Sequence, residues 1–162
     1  MPPHEADAVL FEAAATDNVQ LLGQGLPRSP GAIAARRGRG LTMLHVAAQR
    51  GATNAVRLLL ECGLPVDSRD DYGFTPLHYA AKDSSHAQTL CALVTGGADV
   101  DAETADGFRP IDLSCLHNSM ENTKFLVRCG ADTSGLKRSS LTALRRCLLS
   151  DEISRQSHEN GR

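Results

Sequence analysis

The 162-residue chain has no Trp, and its few Phe and Tyr make up only 4% of it. A β-sandwich core leans on aromatic and β-branched side chains, so this scarcity argues for helices built from Leu, Val and Ala that pack through small faces. No apolar run approaches the ~18 residues of a membrane span, and the opening stretch MPPHEADAVLFEAAA carries charge where a secretory leader would be apolar. No membrane is expected among its partners. Charge of one sign is also missing. Seventeen Lys and Arg against nineteen Asp and Glu leave a formal charge of −2, which gives no global attraction to nucleic acid or to an anionic surface. Cys62, Cys91, Cys115, Cys129 and Cys147 are odd in number and never form CxxC, which speaks against a disulfide framework and against a zinc ribbon. Reduced thiols and the absent leader suit the cytoplasm, with the nucleus as the alternative.

What the sequence does have is a repeat. GLTMLHVAA at 40–48 returns 33 residues later as GFTPLHYAA at 73–81, then after 34 as GFRPIDLSC at 107–115, and SLTALRRCL at 140–148 fills the same frame. A second register agrees: apolar segments close at Gly63, Gly97 and Gly130, spaced 34 and 33. The one extra residue of the middle unit falls within KDSSHAQ, 82–88, which reads as a turn. Upstream, LFEAAATDNVQLLGQGL at 10–26 matches at an offset of 34, with Ala13 and Ala14 on Ala47 and Ala48, and Leu22 and Leu26 on Val56 and Leu60.

The residues of one unit explain its shape. Thr75 suits a helix N-cap, and Pro76 suits the first helical position, where its missing N–H costs nothing. The Ala pairs allow close approach between helices, AVRLLL at 55–60 gives a second helix with an apolar stripe, and Gly63 can close it in the left-handed conformation. PVDSRDDYG and DVDAETADG between units carry the Gly and Asp of turns.

These features, the TPLH tetrapeptide above all, resemble the ankyrin repeat over residues 8–150. The resemblance implies an all-α solenoid of stacked helix-turn-helix units with β-hairpin finger loops. Residues 5–150 then form a single domain: an N-terminal cap repeat over 5–36, full repeats over 37–69, 70–103 and 104–136, and a C-terminal half-repeat over 137–152, followed by a disordered tail over 153–162. His45 and His78 take the family's structural position between adjacent units. Unit 104–136 departs from the pattern, with Arg109 and Asp112 where Thr and His are usual, although Asp112 can offer its carboxylate to the first-turn dipole. At the C-terminal end, Arg145 stands where the cullin-recruiting box that follows some ankyrin arrays wants a cysteine, so a half-repeat is the better reading.

Catalysis requires a nucleophile, a base and an orienting group in one cleft, whereas matched positions of a solenoid lie one repeat apart along a ridge. The expectation is therefore no enzyme, no cofactor, no metal and no small-molecule substrate. No pair of cysteines and histidines has ligand spacing, and ARRGRG at 35–40 lacks the Lys-Ser/Thr of a phosphate loop. The family resemblance implies a monomeric protein-interaction module or adaptor. Its recognition surface is expected at Arg37, Arg39, Arg69, Asp70, Tyr72, Glu103 and Asp106 on the fingers and at Gln49, Arg50, Tyr79, Lys82, Leu116 and His117 on the inner helices, with Tyr72 and Tyr79 as exposed anchors. Charge along the fingers runs from arginines, through a mixed finger, to acids. Two alternatives stand beside this reading: a regulatory or assembly-chaperone subunit that binds a folded partner, and a nucleic-acid adaptor using Arg36, Arg37 and Arg39.

Overall fold

The computed structural model describes residues 3–28, 30–146 and 149. The expected tail, Cys147 and the last residues of the expected half-repeat lie outside them. Among the described residues eight helices come in pairs: α1 (Pro3–Ala15) with α2 (Val19–Gly25), α3 (Met43–Arg50) with α4 (Thr53–Glu61), α5 (Pro76–Ala81) with α6 (Ala87–Thr95), and α7 (Pro110–Leu116) with α8 (Met120–Arg128). A further helical run covers 138–146. The odd-numbered helices pack in series as one row, the even-numbered ones as a second, and each odd helix lies on its own partner. None of the described helices is long and apolar enough to cross a membrane.

The core follows from composition. Leu44, Leu59, Leu77, Leu90, Leu93, Ile111 and Leu126 are fully buried between the two rows, and Ala13, Ala14, Ala47, Ala48, Ala80 and Ala81 line the tight contacts of the first row. The alanines leave room for backbones to approach, which bulkier aromatics would prevent. Outer helices α4, α6 and α8 each end beside a left-handed glycine, Gly63, Gly97 and Gly130, at φ of 84°, 90° and 89°. The next N–H returns to the helix five residues back in all three (Leu64 to Leu59, Ala98 to Leu93, Ala131 to Leu126, each 3.1 Å). This is the Schellman closure, and it satisfies carbonyls the helix itself leaves orphaned.

Three of the four inner helices close in the same manner. Asp17, Gly51 and Asn118 have φ of 57°, 69° and 56°, and Asn18, Ala52 and Ser119 donate to Ala13, Ala47 and Ser114. Helix α5 is the exception. The extra residue of its unit turns the chain into a 3-10 turn, Ser84–His86, and no left-handed residue follows the helix. Its last carbonyls are instead bound from the neighbouring pair. Asn122 Nδ2, fully buried on α8, donates to Ala80 (3.2 Å), Ala81 (3.3 Å) and Asp83 (2.7 Å), and Ser119 Oγ donates to Lys82 (2.6 Å). An inserted residue in one unit is thus matched by polar residues in the next.

The loops between pairs are tight fingers. Arg37 and Leu41 form an isolated antiparallel bridge, while Asp70 and Thr104 donate their N–H to Phe74 (3.0 Å) and Phe108 (2.9 Å). The expected β-hairpin is reduced to these closures, with no longer strand among the described residues. Successive fingers are joined by backbone bonds, Asp71 N–H to Arg39 C=O and Ala105 N–H to Tyr72 C=O, each 3.0 Å.

Candidate functional site

The two buried histidines are built into the frame. Thr75 donates its N–H to His78 Nδ1 at 3.1 Å, its hydroxyl lies 2.8 Å from the same nitrogen, and His78 Nε2 lies 2.9 Å from the carbonyl of Phe108 in the next finger. His45 repeats this arrangement with Thr42 and Phe74. A carbonyl can only accept, so Nε2 carries the proton and Nδ1 is the bare acceptor; the network assigns the tautomer. Burial pushes the His78 pKa down to about 4, helped by the charges of Arg69 and Lys82 and opposed by the bond to Phe108; burial likewise lowers His45. In each residue Nδ1 is occupied by the threonine of its own unit and Nε2 ties that unit to the next, so neither ring nitrogen is free.

In the following unit Asp112 does this work with a carboxylate. Its Oδ2 accepts the Arg109 N–H at 3.2 Å and pairs with Arg109 Nε at 3.6 Å, while Oδ1 accepts the Lys137 N–H at 3.4 Å. The polarity of the tie is reversed: a histidine donates to the next finger's carbonyl, whereas Asp112 accepts from its N–H. Arg109 is itself buried and reaches Asp132 at 3.3 Å.

Several residues expected to face a partner are committed inside the protein. Asp70 is buried, its Oδ1 accepting from the N–H groups of Tyr72 (3.0 Å) and Phe74 (2.8 Å), and its Oδ2 from the Tyr79 hydroxyl (2.8 Å). It shapes the second finger and leaves the expected recognition set. Tyr79, expected as an exposed anchor, is half-buried. Its ring packs edge-on to His45 and tilted against Phe74, and burial followed by the Asp70 bond holds its hydroxyl in the protonated form well beyond the usual range. Lys82 is also half-buried, its Nζ 4.7 Å and 4.8 Å from the ring centres of Phe74 and Tyr79, and burial lowers its pKa. Arg69 lies at the surface, but its guanidinium bridges the carbonyls of Gly73 and Glu103. Arg36 makes the same bridge one unit earlier, to Gly40 (2.9 Å) and Arg69 (2.8 Å). Three outward guanidinium groups were expected on the arginine finger, whereas among the described residues only those of Arg37 and Arg39 are without a hydrogen bond or ion pair.

What stays outward is compact. Tyr72 and Leu116 expose 50% and 47% of their surface, Arg37, Gln49, Arg50 and His117 are exposed, and the side chains of Arg37, Arg39, Glu103 and Asp106 make no hydrogen bond or ion pair among the described residues. Arg39 lies over the Tyr72 ring at 5.4 Å. Gln49, Lys82 and Leu116 occupy one register position on successive inner helices, and Arg39, Tyr72 and Asp106 occupy one position on successive fingers. Two depressions among the described residues are shallow: one of 160 Å³ lies between Phe11 of α1 and Arg37, and one of 210 Å³ lies beside Leu21. Sites that enclose a small molecule measure about 300–1,000 Å³. Cys62, Cys91 and Cys129 are exposed on the outer helices or at their ends, and Cys115 is buried in the small-residue position of α7.

Comparison with known proteins agrees with this geometry. A family model described as ankyrin repeats in three copies matches residues 10–104. The chain is 32% identical over 115 residues to SH3 and multiple ankyrin repeat domains protein 2 of Homo sapiens, covering 71% of this chain and 6% of that one. It is 40% identical over 74 residues to Protein phosphatase 1 regulatory subunit 27 of Homo sapiens, covering 46% and 47%, and 38% identical over 103 residues to the B-cell lymphoma 3 protein homolog of Mus musculus, covering 63% and 22%. The chain thus spans less than half the length of each of these relatives. With two sequence registers, paired helices, finger-to-finger histidine ties and a family model over more than half of its residues in agreement, the chain belongs to the ankyrin repeat family of protein-interaction modules.

Proposed function

We propose that the protein is a non-catalytic adaptor that recognises a protein partner through its finger tips and the outward face of its inner helices, within full repeats at 37–69, 70–103 and 104–136. The observation that carries this reading is the contrast between spent and unspent side chains. His45, His78, Arg36 and Arg69 are consumed in holding units together and Asp70 in closing its own finger, while Tyr72, Leu116, Arg37, Arg39, Glu103 and Asp106 are held outward on that rigid frame, the four charged side chains without a hydrogen bond or ion pair among the described residues. An aromatic and a leucine exposed among unpaired charges match the apolar centre and polar rim of interfaces between proteins.

One relative carries the words regulatory subunit in its name, which favours the same surface acting on a folded partner as a second reading. The test is to capture the partner by affinity purification and footprint the complex. Tyr72 and Leu116 should be protected from hydroxyl radicals, while Cys62, Cys91 and Cys129 on the outer row stay open to alkylation. Protection of the thiols with Tyr72 left reactive would move recognition to the outer helices and refute the reading.

A further inference from the structure

The matched position of three successive fingers holds Arg39, Tyr72 and Asp106: a cation, an exposed aromatic and an anion. Arg37 adds a second cation to the first finger, and Glu103, from the register position of Arg36 and Arg69, adds a second anion to the third. The tips are fixed relative to one another, since Asp71 bonds to Arg39 and Ala105 to Tyr72 through the backbone. The end charges are uncommitted to hydrogen bonds or ion pairs among the described residues, unlike Arg36 and Arg69 in the row behind them. Lys137 bounds the acidic finger, its Nζ donating to the Asp106 carbonyl at 3.0 Å and lying over the Phe108 ring.

We propose that this row selects an extended protein segment whose charge is split into blocks, with acidic residues at the Arg37 and Arg39 end, an apolar or aromatic residue on Tyr72, and basic residues at the Glu103 and Asp106 end. The proposal rests on the finger-tip surface being the recognition surface. Its scale follows from the frame. Neighbouring helices pack about 8–10 Å apart, so three tips span about 16–20 Å, or roughly five to six residues of extended chain at about 3.3 Å each. A segment of that length cannot satisfy both ends if its charges alternate, because alternate side chains of an extended strand point to opposite faces. Complementary blocks also set the orientation during encounter, and like charges facing each other exclude a mis-registered segment.

The probes are capped, fluorophore-labelled hexapeptides of one composition: a block peptide with two glutamates, a central Leu-Phe and two lysines, and a control with the same charges alternating. Anisotropy should show the block peptide binding at least about tenfold more tightly than the control. R37E/R39E should abolish most of that preference, and R37E/R39E/E103R/D106R should restore it, because the peptide can lie the other way round on an inverted row. Equal binding of the two peptides, no saturable binding of the block peptide up to about 1 mM, or no restoration in the fourfold variant would overturn the proposal. Footprints separate the two ideas. A partner that protects Tyr72 while the peptides fail to discriminate leaves the adaptor reading standing and refutes the charge rule, whereas a partner seated on the outer helices refutes both.

Discussion

Truncating Asn122 should cost the protein about 3 kcal/mol, although alanine stands at the matched position of α4, Ala55. In that earlier unit the first helix closes on left-handed Gly51, and the Ala52 N–H bonds to Ala47. Helix α5 has no such closure, and the two amide hydrogens of Asn122 serve three carbonyls there. Each bond is worth about 1 kcal/mol net, and each buried carbonyl left bare adds a desolvation penalty of about 1–3 kcal/mol, reduced where the site relaxes or admits water. Two lost bonds plus one carbonyl that stays bare give the figure. Urea melts followed by circular dichroism measure it directly. The second arm replaces residues 82–88 with the six residues of 49–54, removing the extra residue and supplying the glycine closure. In that background Asn122→Ala should cost less than half as much. A loss below about 0.5 kcal/mol in the parent, or equal losses in both backgrounds, would show that α5 does not depend on Asn122 for its cap.

Acid should weaken the fold from about pH 6.5 downward. His78 has a folded pKa of about 4 against 6.5 when unfolded, so its contribution is complete above pH 6.5 and is lost as pH falls from there towards 4. At pH 5 that is about 2 kcal/mol, with His45 acting in the same direction, and flat stability between pH 7 and 5 would contradict the buried neutral tautomer. Gly73→Ala should destabilise more than Gly97→Ala. Both positions are left-handed, which costs about 1–2 kcal/mol, but a Cβ at Gly73 would sit 2.9 Å from the Ala105 backbone nitrogen whereas nothing lies within 4 Å of one at Gly97, and equal losses in melts would refute the distinction. Asp112→Ala should cost about 3 kcal/mol or more by stranding buried Arg109, and Arg109→Thr with Asp112→His should recover most of it; a double variant no more stable than the single would mean the family's Thr-His tie cannot be rebuilt there.

The solenoid was legible because its signals are local and recur. A helix start at Thr42 or Thr75, an Ala pair, an apolar stripe and a closing glycine each act within a few residues, and agreement between two registers fixes the phase of the whole array. The extra residue at 82–88 was also readable, as a turn. Its consequence was not, since the compensation lies some forty residues away in Ser119 and Asn122. Those residues look like a polar interruption of an amphipathic helix until the carbonyls they bind are placed beside them. Asp112 posed the converse difficulty: a carboxylate near a helix start suggests a dipole contact, and only the fold brings the Lys137 N–H to its second oxygen.

Exposure of the candidate surface was harder to read, because composition gives the same score to a charge that ties two fingers together and to one that waits for a partner. Repetition provides the missing distinction. A tie from one unit to the next can recur with the period of the array, so like residues at one register position point to structure: Arg36 and Arg69 make the same pair of carbonyl bonds 33 residues apart. Glu103 occupies the third place in that row and cannot donate, so the series ends there and the third finger is tied onward by Lys137 through the Asp106 carbonyl. A contact with one particular partner has no reason to recur, so exposed positions that differ from unit to unit, such as Arg39, Tyr72 and Asp106, are the better candidates for recognition. The same comparison explains the misplacement of Asp70. Its matched residue in the next finger is Thr104, whose hydroxyl accepts the Phe108 N–H as Asp70 Oδ1 accepts that of Phe74. Two different side chains thus perform one turn-closing role, and the likeness shows only when the acceptor atoms are compared rather than the charges.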